Sequence, residues 1–379
     1  MMKLVAAPNA LKGSLSAFAA AASIAAGARR AVPGIEVVEL GIADGGDGTA
    51  EVVCRARGGR FEEVPAEDPL GRARVARYAW LDDGTAVIDV ATASGLALLE
   101  PNERRALSAS SFGTGQLLRA ALVAGAKRIV LGVGGSATVD GGAGILEALG
   151  ARLLAADGRP LPRGGGALHL LSHIDLSQLE PRARQVPLDV ACDVDSPLLG
   201  EHGAARLFGP QKGASPAEVD SLENGLAHFA AVLARDFGRD VGGVVSGGAA
   251  GGIAAGLYGV LGARLLPGVD LVLDAIGFER ALSGAALCIT AEGHLDRQSL
   301  RNKGPFGVAR RAAAQNVPVV VLAGGIAGDV RDSDFPELSG MFSLCARPMS
   351  LGEAMRDAGP LLEATAERVV RLFAKARGI

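Results

Sequence analysis

At 379 residues the chain is too long for one small hydrophobic core, and two domains are the expectation. Its 49% hydrophobic and 21% charged residues exclude general disorder, and a net charge of -3 without a long basic run excludes an electrostatic footprint for nucleic acid. Aromatics at 4% also exclude the stacking platforms of single-strand binders.

In chain order, "KLVAAP" from Lys3 reads as a short buried strand, followed by the loop Asn9–Ser14 and a helix over Leu15–Arg30. Pro8 interrupts this start too soon for a secretion signal, and no apolar run reaches the ~18 residues of a membrane span. "VVEL", Val37–Leu40, is a second strand opening into "ADGGDGT". Residues 60–100 suggest short strands and turns, with "DDGT" at 82–85 as a hairpin turn. A helix over "GTGQLLRAALVAGAK" and the strand "RIVLGV" lead into the glycine cluster "GGSATVDGGAG", Gly134–Gly144, with Asp140 inside it. Ser215-Pro216-Ala217-Glu218 is a capping box with proline at the first helical position. The helix it opens carries Val219, Leu222, Leu226, Phe229, Leu233 and Phe237 at spacings of three and four. "ALCIT", "VPVVVLAGG" and "MFSLCA" are continuous apolar runs separated by helix-like stretches, which predicts a parallel sheet covered on both faces. A final helix over Gly352–Arg377 turns Leu362, Ala366, Val369 and either Leu372 or Phe373 inward.

The pattern predicts an α/β fold of two domains. A flavodoxin/Rossmann-like parallel-sheet domain comes from both chain ends, 1–65 and 286–379, and residues 66–285 form an inserted mixed α/β domain. The active site is expected in the cleft between them. Cys54, Cys192, Cys288 and Cys345 are too far apart for a metal finger or a disulfide framework. Free thiols in a cytoplasmic protein are the expectation.

Several glycine or acidic loops follow predicted strands, where open α/β sheets collect ligands. Lys12 and Ser14 in "NALKGS" offer an anion cradle, although the order is not that of a Walker A motif and a plain strand-to-helix loop explains it as well. The cluster Gly134–Gly144 suits either phosphate binding or close helix–strand packing. Asp193 and Asp195 in "ACDVDSPL" could reach one magnesium or a substrate hydroxyl from the end of a strand, or decorate a solvated turn. Asp44 and Asp47 flank Gly45 and Gly46 in the same manner. Glu292, Asp296 and Lys303 in "TAEGHLDRQSLRNKGP" suit a metal-bound phosphate, against a surface ion pair. His169 and His173 lack a third zinc ligand, and "VVSGGAAGG" lacks the spacing of a nucleophile elbow. The surviving inventory of backbone donors, lysines and orienting carboxylates is that of phosphoryl transfer.

"KGSLSA", "ADGGDGT", "GTGQLL", "GGSATVDGGAG", "ACDVDSPL", "FGPQKGAS", "GGAAGGI" and "TAEGHLDRQSL" with "KGPFGVA" occur in an order that resembles the bacterial glycerate kinase family, of the glycerate 2-kinase type. The resemblance runs from the first strand to the last helix. It implies ATP-dependent phosphorylation of D-glycerate to 2-phosphoglycerate, with ATP and Mg2+ as cofactors, no nucleic-acid or membrane partner, and a homodimer allowed.

Position by position, Asp193 and Asp195 match the family's Asp-Val-Asp, and Lys12 its early lysine. Asp296 and Lys303 match its late pair, Asp140 its glycine-loop aspartate, and Phe208–Gly213 its Phe-Gly-Pro-Gln-Lys-Gly. The expected catalytic residues are Asp193, Lys12 and Asp296, with Asp193 and Asp195 as metal ligands. Ser14, Gly45, Gly46, Gly134, Gly135, Ser136, Asp140, Gly247, Gly248, Glu292 and Lys303 are expected to bind substrate or phosphate. The chain departs from the pattern at Asn9-Ala10, where Asp-Ser is expected, at Val139, and at Arg301-Asn302. These changes leave open a kinase for another small hydroxy acid, or a catalytically silent nucleotide-binding regulatory protein.

Overall fold

The structure, a computed structural model, describes residues 2–297 and 304–378. It divides into two compact units, Met1–Asp44 with Val269–Ile379, and Gly45–Gly268.

The first unit is built on five parallel strands. Their order across the sheet is Gly340–Ser343, Val319–Ile326, Leu287–Leu295, Lys3–Ala6 and Glu36–Glu39. Counted along the unit's own chain this is 2-1-3-4-5, the flavodoxin-like order, in which the direction of winding reverses between the first and third strands. The central strands are buried along most of their length, which explains their unbroken apolar runs. Helix Ala17–Ala31 is capped by Ser16 and lies against the C-terminal helix Ala358–Ala376. Their backbones approach at Gly27, where any side chain would overlap the Glu363 carbonyl. The expected single C-terminal helix is two, Leu351–Arg356 and Ala358–Ala376. Phe373 packs on the core, whereas Leu372 is 66% exposed.

The second unit carries a six-stranded mixed sheet. Arg264–Pro267, Leu188–Cys192, Arg128–Gly132 and Thr85–Asp89 are parallel; at one side Ala73–Trp80 pairs antiparallel with Thr85–Asp89, and the edge strand Arg60–Glu67 pairs antiparallel with Ala73–Trp80. The "DDGT" turn joins Trp80 to Thr85, with Gly84 at φ +84° and Asp83 accepting from the Thr85 amide. A separate hairpin pairs Arg152–Ala155 with Leu171–Asp175. Helix Pro216–Phe237 starts at the Ser215–Glu218 capping box and buries Val219, Leu222, Leu226, Phe229 and Leu233.

The seams fall at 44/45 and 268/269, against the expected 65 and 285. Strand Arg60–Glu67 pairs residue for residue with Ala73–Trp80, which ties it to the second unit. Helix Gly268–Ala275 is tied to the first by ion pairs from Asp270 and Asp274 to Arg311.

Candidate functional site

In the second unit, three neighbouring parallel strands end at Asp89, at Gly132 just before the glycine cluster, and at Cys192, with Asp193 next after it. The glycines serve close packing first. A side chain at Gly134 would overlap the Gly46 Cα, and one at Gly45 would come within 2.6 Å of the Ala191 carbonyl. At Gly144 it would overlap the Ser110 hydroxyl. Gly135 differs: it sits at φ +72° with its Cβ position 3.5 Å from the nearest atom, and it faces a cavity. Asp140 has no exposure and accepts from the Ser111 amide and hydroxyl, both at 2.8 Å, and from the Gly142 and Gly144 amides. Burial pushes its carboxyl up while these donors pull the other way. Its bonds hold the loop in shape.

Asp89 plays a similar part on the facing loop. It is buried and accepts from the Gly48 and Ala50 amides at the start of helix Thr49–Arg57. Burial, with a smaller push from Asp47, brings its carboxyl up to about 7. Nothing in the sequence beyond a carboxylate closing an apolar strand marks this residue.

The cavity faced by Gly135 measures about 110 Å³, and Gly134, Ser136, Asp193, Gln211 and Lys212 also line it. Lys212, on the 3₁₀ turn Pro210–Lys212, is 3% exposed. Its Nζ donates to Ser136 Oγ at 2.9 Å and to the Thr138 carbonyl at 2.8 Å. An ammonium carries three N–H donors, so one is left over among the described residues. Burial lowers its pKa to about 7, opposed by Asp140 and Asp193. Lys212 is absent from the residues expected at the site; its signal in the sequence is "FGPQKGAS", a lysine enclosed by glycine and proline. Asp193 is half-buried at this cavity, while Asp195 is exposed on the following turn. Gly247 and Gly248 brace that turn: the Gly248 amide donates to the Ser196 carbonyl at 2.9 Å, and a side chain there would overlap the Pro197 carbonyl. Ser246 and Ala250 flank them at φ +65° and +53°, a costly conformation for residues with a Cβ, and Ala250 lines the cavity.

The first unit gathers the remaining expected residues. Its loop after the first strand closes in a tight turn from Leu11 to Leu15, with Lys12 exposed at the corner and Ser14 half-buried. Ser16, not Ser14, caps the helix beyond. Glu292 is 8% exposed and accepts from Asn9 Nδ2 at 3.1 Å; the same amide reaches Asp44 at 3.4 Å. Lys12, Ser14, Glu292, His294 and Asp296 line a second cavity, of about 690 Å³. Lys303 lies outside the described residues. Among the described residues no cluster of three or more His, Cys, Asp or Glu could hold a metal ion by itself.

Residues 4–374 match the model of the Glycerate kinase family. The chain is 44% identical to a glycerate kinase of Halalkalibacterium halodurans, over 97% of each chain. It is 42% identical to the glycerate 2-kinase of Escherichia coli, over 94% of each. The crystal structure of a Salmonella typhimurium LT2 chain named as a glycerate kinase 2 superposes with a TM-score of 0.87 at 41% identity, covering all of both chains.

Proposed function

The chain belongs to the glycerate kinase family, and we propose that it transfers the γ-phosphoryl group of ATP to D-glycerate, giving 2-phosphoglycerate. The observation that carries the assignment of the chemistry is the cavity of about 110 Å³, where a buried lysine and a carboxylate meet at the carboxyl ends of parallel strands. Phosphoryl transfer asks little covalent chemistry of a protein and depends on positioning and charge stabilisation.

In this reading Lys212 supplies the charge. Two acceptors fix its Nζ, so the remaining donor needs no reorganisation when phosphate oxygens arrive. An incoming anion also raises the ammonium's pKa and keeps it charged. Asp193 accepts the proton of the attacking hydroxyl and orients its oxygen. The cavity accommodates the small acid and the phosphoryl group it receives, and it is too small for a nucleoside. Asp140 holds the glycine loop that lines it, Asp89 holds the loop that packs on Gly134, and neither touches a reactant. Magnesium takes one or two carboxylates plus phosphate oxygens, and Asp195, exposed two residues after Asp193, fits that donor set. When bound, the ion neutralises phosphate charge. Lys12, Asp296 and Glu292 serve the nucleotide from the first unit. The buried thiols of Cys54, Cys192 and Cys288 suit a reducing, cytoplasmic setting.

Phosphorus NMR of the purified protein with MgATP and D-glycerate tests this. The expected product is 2-phosphoglycerate; 3-phosphoglycerate would retain the kinase and overturn the regiochemistry, and no product would overturn the substrate.

A further inference from the structure

The larger cavity, that of the first unit, has far more room than a three-carbon acid fills. Its volume of about 690 Å³ falls in the range of sites for whole cofactors, several times the volume at Lys212. It opens beside the ends of strands Lys3–Ala6 and Leu287–Leu295, the pair between which the winding of the sheet reverses. Open α/β sheets bind nucleotides at such a switch point.

The lining changes character from one element to another. The loop after the first strand and the end of the third contribute Lys12, Ser14, Glu292, His294 and Asp296. The C-terminal segments contribute Leu344, Leu351, Met355 and Leu361. Leu351 is 76% exposed and Met355 36%, although Met355 closes onto the Lys12 loop, its Cε 2.9 Å from where a Gly13 Cβ would lie. Large apolar side chains left open to water beside convergent charges suit a ligand with a flat apolar head and an anionic tail. A methionine thioether is a polarizable wall for an aromatic ring, and leucines extend it as an apolar surface.

We propose that this cavity binds the adenine nucleotide, with the base against Leu344, Leu351 and Met355 and the phosphates toward Lys12 and Ser14. The choice of nucleotide rests on the function proposed above; the assignment of its base to this wall goes beyond that.

Cys345 makes the proposal testable without turnover. It lines this cavity, and it is the cysteine that is not fully buried, whereas Cys54, Cys192 and Cys288 are. Alkylation of the wild-type protein by iodoacetamide, read at Cys345 by peptide mass spectrometry, reports occupancy of the cavity. Saturating ATP is expected to slow labelling by about tenfold, adenosine at saturation to protect to a similar degree, and D-glycerate and tripolyphosphate to leave the rate within about twofold. Protection by D-glycerate or tripolyphosphate but not by adenosine would overturn the proposal, as would no protection at saturating ATP.

A second arm uses Ala354→Trp, which fills the cavity from a half-exposed helical position. KM for ATP is expected to rise about tenfold with KM for glycerate unchanged. An unchanged KM for ATP in the folded variant would count against the proposal; if the variant does not fold, the labelling result decides. Formation of 2-phosphoglycerate without protection of Cys345 overturns this inference and leaves the kinase reading standing. Protection without product does the reverse.

Discussion

Lys12 and Lys212 both sit next to a glycine on a short loop, and both line a cavity at the carboxyl ends of parallel strands. Lys12 is exposed at the corner of a five-residue turn; Lys212 is 3% exposed with its ammonium held by Ser136 and Thr138. An exposed charge attracts an anion through screening water and salt, whereas a buried one acts at low effective dielectric and near full strength. The two lysines are alike in sequence and unlike in what they can do. In the proposed mechanism, depth separates the lysine assigned to the transition state from the one assigned to capturing the nucleotide.

The largest effect should fall beside Lys212. Asp193→Asn keeps the shape of the cavity but removes the proposed proton acceptor, and kcat is expected to fall about 10³-fold with little change in KM for ATP. A fall of less than about tenfold would move the proton elsewhere.

Lys212→Met should lower kcat about 10²- to 10³-fold, the usual consequence of losing one preorganised donor. The same substitution should alter stability in the opposite sense. Burial brings the lysine's pKa to about 7 in the fold, against an ordinary value of 10.5. Between those values the unfolded chain binds more protons than the folded one, so wild-type stability from this residue rises with pH across the window. Below pH 7 the full cost of burying the charge is present. Lys212→Met should therefore unfold at higher urea than wild type at pH 6, with the gap closing toward pH 10. A gap that does not depend on pH would mean that the ammonium is not desolvated as the geometry indicates.

The first unit was legible in outline because a parallel sheet covered on both faces leaves continuous apolar runs, and "ALCIT" and "VPVVVLAGG" show them plainly. The helix after Ser215 was legible because its cap and its stripe are local features. Less legible was anything set by contacts distant in sequence. The packing of Gly134 on Gly46 cannot be told from a ligand's approach in "GGSATVDGGAG" alone, and the bonds of Asp140 to Ser111 span 29 positions. Lys212 stood in a quoted motif, yet its burial is decided by Ser136 and Thr138, more than 70 residues earlier. Asp89 gave no signal because its function is to satisfy the amides of another loop.

The departure at Asn9 offers a smaller test on the first unit. Its amide donates toward two carboxylates, Glu292 and Asp44, so the neutral side chain neutralises nothing but satisfies both. Asn9→Asp replaces the donor with a third acceptor and should cost about 1–3 kcal/mol at pH 8. A carboxyl with a raised folded pKa keeps its proton in the fold at pH values where the unfolded chain has lost it, so the loss should shrink as pH falls to 5. Equal urea midpoints for variant and wild type at pH 8 would show that the three groups do not share one environment.

Lys12→Met should have the least effect on chemistry. An exposed ammonium contributes to capture of an anion, not to the transferring bond, so KM for ATP should rise about tenfold or less while kcat stays within about twofold. Salt then separates the two lysines. At about 0.5 M ionic strength the screening length falls well below 10 Å, and wild type should approach the Lys12→Met variant in KM. No such convergence is expected for Lys212→Met, because water and ions do not reach a side chain 3% exposed. If the Lys12 variant instead loses kcat to the extent of the Lys212 variant, and salt does not narrow the difference, exposure ceases to discriminate between them. Lys12 would then have to reach the transferring group in the bound state, and the contrast drawn from depth would fail.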